Sequence, residues 1–151
     1  MTTSIPAAKA ALTAVLAAGL PDVQVIYGPV TAEAITAPNV LSVGARIEGE
    51  ASPDAISLGT AAERYRIACV LSCTVDGPGD DAQQQAAEIA WDRYATAERL
   101  IREHPTQDLG ASAAGVLGAL PTGQFTATDT ALPSGRNTAI EFTVQIIGQR
   151  T

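Results

Sequence analysis

The stretch RYRIACVLSCTVDG, residues 64–77, alternates apolar side chains with polar or charged ones, as a half-buried β-strand does. One parity holds Tyr65, Ile67, Cys69, Leu71, Cys73 and Val75, and the other holds Arg64, Arg66, Ser72 and Thr74. A strand with this pattern buries one face and leaves the other for solvent or a partner. We therefore predict a long central strand with both arginines opposite the core, where a neighbour or partner can contact them.

The spacing of Cys69 and Cys73, the two cysteines of the chain, argues against a redox or metal site. Four residues of strand separate them by roughly 13 Å, about twice the Cα distance that a disulfide accepts. A metal site needs two more soft ligands, and the chain has a single histidine, His104. We interpret both thiols as small buried hydrophobes, which suits a reducing compartment.

The segments around this strand predict one α+β domain over residues 1–151, with a mostly antiparallel sheet and both helices on one face. The predicted order is a short helix from Ser4 to Gly19, strands at 23–28 and 39–47, a long loop at 48–61, the central strand, a long helix at 80–104, and a terminal hairpin from 124–130 and 138–149. Residues 109–123, rich in Gly and Ala, fit no regular pattern.

The long helix is predicted from a run without Gly or Pro, in which apolar residues recur every three or four positions. Asp80 and Asp81 are suited to cap its beginning. Trp91 lies at the margin of the apolar stripe, so this side chain either completes the core or covers a subunit contact.

Composition and motifs argue against several functional classes. A formal net charge of -7 disfavours a protein that grips nucleic acid, and no segment has the length of a membrane span. GASAAG, residues 110–115, has alanine where a nucleophile elbow needs its second glycine. DGPGDD, residues 76–81, fails the EF-hand pattern, and the chain has no P-loop. We therefore predict no catalytic residue, no metal and no cofactor.

Four segments together carry a resemblance to a known family. They are AAGLPDVQVIYG (17–28), RYRIACVLSCTV (64–75), DGPGDDAQQQAAEIAWDRYATAERLI (76–101) and NTAIEFTVQIIGQR (137–150). In element order and size, over nearly the whole chain, the sequence resembles tail terminator proteins of long-tailed phages, especially those of actinobacterial hosts. The resemblance implies a structural subunit of the virion, made in the host cytoplasm, that forms a hexameric ring on the tail tube.

The implied ring ends growth of the tail tube, offers a docking surface to the head connector or head-closure protein, and lets DNA pass without binding it specifically. A core with one Trp, three Tyr and two Phe is sparse, which favours oligomerisation, and excess acid suits a DNA channel. As a hypothesis, Glu48, Glu50 and Asp54 of the predicted loop face the lumen or the tube. Arg64, Arg66 and Trp91 are the predicted subunit or partner contacts.

Two other classes of function remain open from the sequence. One is another phage joining part, such as a head-closure or tail-completion protein, or a tail tube subunit, which needs more strand than the sequence indicates. The other is a small enzyme or ligand-binding domain, which needs a concave pocket with converging polar groups.

Overall fold

The α+β prediction is confirmed by the computed structural model, which describes residues 2–51 and 61–151. The elements are α1 (Ile5–Gly19), β1 (Gln24–Tyr27), β2 (Asn39–Ala51), β3 (Ala61–Asp76), α2 (Asp80–Arg102), β4 (Val116–Leu132) and β5 (Gly135–Arg150), with short 3-10 turns at Ala32–Ala34 and Ser112–Ala114. Both predicted helices and the terminal hairpin are present.

The five strands form one sheet in the order β1-β2-β3-β5-β4. β1 runs parallel to β2, and every other neighbouring pair is antiparallel. β3 lies in the middle and pairs with β5 over its whole length, from Ala61 opposite Arg150 to Asp76 opposite Gly135. The predicted central strand is therefore confirmed, and β1 and β4 form the two edges of the sheet.

The core lies between the helices and one face of the sheet, here called the inner face. Cys69 and Cys73 are fully buried on this face, so the prediction that they are core residues is confirmed. α1 buries Ala8, Leu12 and Leu16 against it. α2 presents mainly alanines there, and these small side chains let the helix lie close to the sheet.

The predicted loop at 48–61 was wrong at its beginning, because β2 continues to Ala51 and carries Glu48 and Glu50. A register shift between Val43 and Ile47 interrupts the alternation of β2 within the predicted strand. The end of the strand was missed because Gly49 and the two glutamates beside it are residues that strands disfavour. Residues 52–60, which include Asp54, lie outside the described part of the chain.

The first strand of the terminal hairpin begins at Val116, well before the predicted position 124. The strand was not predicted over 116–123 because this segment contains Gly and Pro, which argue against a strand. β4 is an edge strand, where both residues are tolerated. Register shifts at Val116/Gly118 and Pro121/Phe125 accommodate them. Residues 116–123 of the segment with no assigned pattern are thus strand.

Both ends of α2 differ from the sequence prediction. Gly79 occupies the N-cap position with φ 95°, and no side chain caps the helix there. Asp80 and Asp81 instead lie in the first turn, where the helix dipole favours carboxylates. His104, the end of the predicted helix, lies beyond the last helical residue, Arg102, and its Nδ1 is 2.8 Å from the carbonyl oxygen of Thr106.

A buried polar cluster ties both chain ends to β3. Glu63 is 2% exposed, and one of its carboxylate oxygens accepts hydrogen bonds from the backbone N–H of Ser4 at 3.0 Å and its hydroxyl at 2.7 Å. Arg150 donates to the other oxygen at 2.9 Å. Burial alone raises the pKa of Glu63, but these hydrogen bonds, with one from Thr3, outweigh burial and hold the pKa below its ordinary value.

Substituting Glu63→Gln should lower the free energy of unfolding by about 1–3 kcal/mol at pH 7, because a buried charge-assisted network loses its acceptor. Since folding depresses this pKa, the carboxylate stabilises the fold fully above its unfolded pKa of about 4.3 and loses that effect as the pH falls through its folded pKa. Urea unfolding of both proteins should therefore show a difference that shrinks below about pH 4.

The matched control is Glu103→Gln, which changes an exposed carboxylate and should leave the unfolding midpoint nearly unchanged. A Glu63→Gln protein as stable as the wild type at pH 7 would contradict the assigned role of this cluster.

Candidate functional site

The face of the sheet away from the helices, here called the outer face, carries most of the predicted contact residues. Glu48 and Glu50 lie on β2 opposite Arg66 and Arg64 of β3, respectively. All four residues are exposed, because their parity is opposite to that of the buried residues. The structure therefore brings together two of the acidic residues and both arginines that the sequence singled out.

Arg46 and Glu141 extend this group of charges. One guanidinium nitrogen of Arg46 donates to Glu141 at 2.7 Å, and the other lies 3.8 Å from Glu48. The resulting charged patch is formed by Arg46, Glu48, Glu50, Arg64, Arg66 and Glu141. Its three arginines balance its three glutamates, so the acidic surface expected around Glu48 and Glu50 is locally neutral.

An apolar groove adjoins the charged patch on the outer face. Its volume is about 610 Å³, and it runs between β5 and the first half of β4. Leu117, Leu120 and Ile147 line it and are 50%, 59% and 41% exposed. Arg66 lines the same groove. The charged patch and the groove therefore form one continuous surface.

Sequence reasoning missed this groove, although Ile147 offered a signal. The residue is apolar at the parity that holds Glu141, Thr143 and Gln145 along β5, so it breaks the alternation of that strand. Leu120 offered no such signal, since its strand was not recognised.

A second groove, of about 630 Å³, lies on the outer face beneath residues 28–38. Its hydroxyl groups are engaged inside the protein: the Ser42 hydroxyl donates to the carbonyl oxygen of Gly28 at 2.7 Å, and the Asn137 amide donates to Ser72 and Thr74. The exposed carboxylate of Asp76 also lines the groove. Its walls are otherwise largely apolar. This groove therefore offers packing surface rather than an array of free catalytic groups.

Trp91 lies on the helical side, apart from the charged patch. It is 37% exposed, and its ring contacts Tyr94 and Phe125 edge-to-face at centroid distances of 5.7 and 5.1 Å. Tyr94 also contacts Phe142 in the core. The predicted position at the margin of the core is thus confirmed. Phe125, which sequence reasoning missed, links this aromatic cluster to the edge strand β4.

The thiols of Cys69 and Cys73 are poor nucleophiles and ligands in this setting. Burial raises the pKa of Cys69 to about 12 and that of Cys73 to about 11, so both stay protonated near neutral pH. Across residues 2–51 and 61–151, no three His, Cys, Asp or Glu side chains are grouped so that they could hold a metal ion. In the same residues, neither helix is long and apolar enough to cross a membrane.

Comparison with protein-family models and with curated proteins yields no match for this chain.

Both cysteines should resist modification by a thiol reagent such as dithionitrobenzoate in the native protein, because they are fully buried and protonated. The expected result is fewer than about 0.1 reactive thiols per chain at pH 7.5 within an hour, and two after unfolding in urea. Rapid reaction of the folded protein would show that the inner face opens, and a Cys69→Ser variant would then identify the thiol concerned.

Proposed function

We propose that this chain is a tail terminator subunit of a long-tailed phage. In this role six copies form a ring that caps the tail tube, ends its growth, and docks the head connector, with DNA passing through the centre. One observation carries the proposal beside the family resemblance: the outer face combines a balanced charged patch with an exposed apolar groove, and within residues 2–51 and 61–151 neither α1 nor α2 covers it. Such a surface suits contact with another protein.

The charge distribution supports contact with protein rather than with nucleic acid. The charged patch is locally neutral, and the whole chain carries a formal net charge of -7. Affinity for DNA comes mainly from clustered cations, whereas interleaved charges of both signs give a protein interface its specificity and orientation. A ring of such subunits lets DNA slide past while its outer face holds a defined neighbour.

The placement of the reactive side chains supports a structural role rather than a catalytic one. Both thiols are buried, the hydroxyl groups of the second groove bond internally, and the His104 ring bonds Thr106. A hydrolase needs a nucleophile and a base within hydrogen-bond reach of each other and of a substrate. These groups are engaged separately, in different parts of the fold.

A tail tube subunit is the second candidate, and the strand content favours it more than the sequence suggested. β3, β4 and β5 span 16, 17 and 16 residues. The two roles differ in how assembly stops: a tube subunit adds to its own kind without limit, whereas a terminator forms a single ring and limits the length of the tube.

Electron microscopy of the protein mixed with the tail tube protein of the same phage tests the proposal. The expected result is tubes with one additional ring at one end and a shorter, narrower length distribution than tubes grown alone. A wild-type protein that forms neither a ring nor a capped tube would overturn the proposal, and long tubes of this protein alone would replace it with the second candidate.

Substituting Arg64→Ala with Arg66→Ala should reduce the fraction of capped tubes at least about tenfold, because the charged patch loses two of its three cations. The matched control is Arg99→Ala with Arg102→Ala, which removes two exposed arginines from α2 and should leave capping unchanged. Equal effects of the two pairs on capping would mean that the outer face does not contact the tube.

Replacing Glu48, Glu50 and Asp54 with alanine tests the predicted acidic contacts in the same assay. We expect weaker capping or ring assembly, since Arg64 and Arg66 lose the carboxylates opposite them. Unchanged assembly and capping would remove all three acidic residues from the proposed contact.

A further inference from the structure

The large apolar side chains left exposed are distributed at opposite ends of the sheet. Among the described residues, three such side chains lie beside β1 and six lie on or beside β4. The first group is Tyr27, Val30 and Ile35, and the second is Trp91, Leu117, Leu120, Phe125, Leu132 and Ile147. Two separate apolar margins on opposite edges are the arrangement that a head-to-tail contact between identical copies needs.

The edge of β4 is open over most of its length. Residues 107–111 cover only its beginning, where the N–H of Val116 donates to Ala111 and the N–H of Ala119 donates to Gln107. Beyond Ala119, no described backbone group pairs with this side of the strand. Proteins usually protect such edges with charged side chains, proline or a bulge. The sequence FTATDTAL, residues 125–132, has no proline, no bulge and a single charged residue, Asp129, whose carboxylate accepts a hydrogen bond from the Thr138 hydroxyl at 2.7 Å.

The direction of the free hydrogen-bonding groups on β4 follows from the ladder. Gln149 of β5 donates its N–H to Gly115 on the β4 side, so the odd-numbered residues of β5 face β4. Over residues 126–130 of β4, the even-numbered residues pair with these odd-numbered residues of β5. Phe125 and Ala127 consequently direct their N–H and C=O groups outward, away from the sheet.

The same reasoning applies to β1 at the opposite edge. Gly28 donates its N–H to Val43 of β2 at 2.8 Å, so the even-numbered residues of β1 face β2. Val25 and Tyr27 therefore direct their backbone groups outward, and among the described residues no other backbone group pairs with them. Each edge thus presents free backbone N–H and C=O groups from two residues spaced two positions apart: Val25 and Tyr27 on β1, and Phe125 and Ala127 on β4.

These residues lie on the same rows across the sheet. One row runs through Tyr27, Val43, Cys69, Phe142 and Phe125, and the next runs through Val25, Leu41, Leu71, Ile140 and Ala127. From the pairing directions, β4 runs opposite to β1. A second copy with its β1 beside β4 would therefore continue the sheet as an antiparallel pair, with Tyr27 opposite Phe125 and Val25 opposite Ala127.

We propose that β4 of one copy pairs with β1 of the next copy, and that this pairing is the subunit contact of the assembly. This inference rests on the proposed ring and identifies its interface. The charges at the two edges are compatible with it: the Nζ of Lys9 lies 4.0 Å above the Tyr27 ring on the β1 side. β4 carries Asp129 and no cation, so the two margins do not repel each other.

Sedimentation velocity over a concentration series tests the role of the open edge. Ala127→Pro removes an N–H that points away from the sheet, so the fold loses no internal hydrogen bond, and we expect the dissociation constant to rise at least tenfold. Ala127→Val is the matched control at the same position, since it keeps the N–H and favours a strand, and its association should equal that of the wild type. The melting temperature of each variant checks the fold.

Cross-linking identifies the partner strand. Tyr27→Cys and Phe125→Cys are prepared separately, mixed, and oxidised with copper phenanthroline in air. The hydrogen-bonded antiparallel pair places the two Cα atoms about 5.5 Å apart, within the range of a disulfide. A covalent dimer should form in the mixture and not with either variant alone, while a chain with both substitutions should give a ladder of oligomers.

Either of two cross-linking results would overturn the edge pairing. A covalent dimer of Phe125→Cys alone would mean that two β4 edges pair with each other, and no cross-link in a sample that sediments as an oligomer would place the contact elsewhere. If Ala127→Pro still forms rings that cap tubes, the edge pairing fails and the terminator role stands. If the wild type remains monomeric at every concentration and with the tube protein, both fail.

Discussion

The structure depends on the antiparallel pairing of β3 with β5. Sixteen consecutive residue pairs join the two strands without a register shift, although the strands lie far apart in the chain. This pairing aligns the buried faces of both strands and creates the surface on which α2 packs, while α1 lies over β1 and β2 and beside α2. β2 pairs with the free edge of β3, β4 pairs with the free edge of β5, and β1 pairs with β2. Every other element therefore takes its position from the β3–β5 pair.

The irregular features of the sheet lie outside the central pair. The three register shifts are in β2, which lies between β1 and β3, and in the edge strand β4. Pro121 also lies in β4, where a missing N–H costs no ladder bond. The open hydrogen-bonding groups and exposed apolar side chains also lie at the edges. In physical terms, the central pair supplies stability, whereas the edges and the outer face remain available for contacts between proteins.

The sequence predicted those parts of the candidate site that depend on a local period. Arg64 and Arg66 were placed opposite the core because a strand alternates its side chains, and the structure leaves both exposed. The position of Trp91 at the margin of the core followed from the helical period. Glu48 and Glu50 were assigned to a loop because residues 48–61 lack a period and are rich in Gly, Ser, Pro and acidic residues, which are infrequent in strands.

The sequence by itself determined α1, α2 and the long strands β3 and β5, their buried faces and the burial of both cysteines, since these depend on neighbours a few residues away. Only the tertiary structure decided that Phe125 joins the cluster of Trp91, that Arg66 borders an apolar groove, and that Tyr27 and Phe125 end one row of the sheet. Those relations depend on strand order and register. Strand order and register are set by pairing between segments that are distant in the chain, and a local pattern of side chains does not indicate which segments pair.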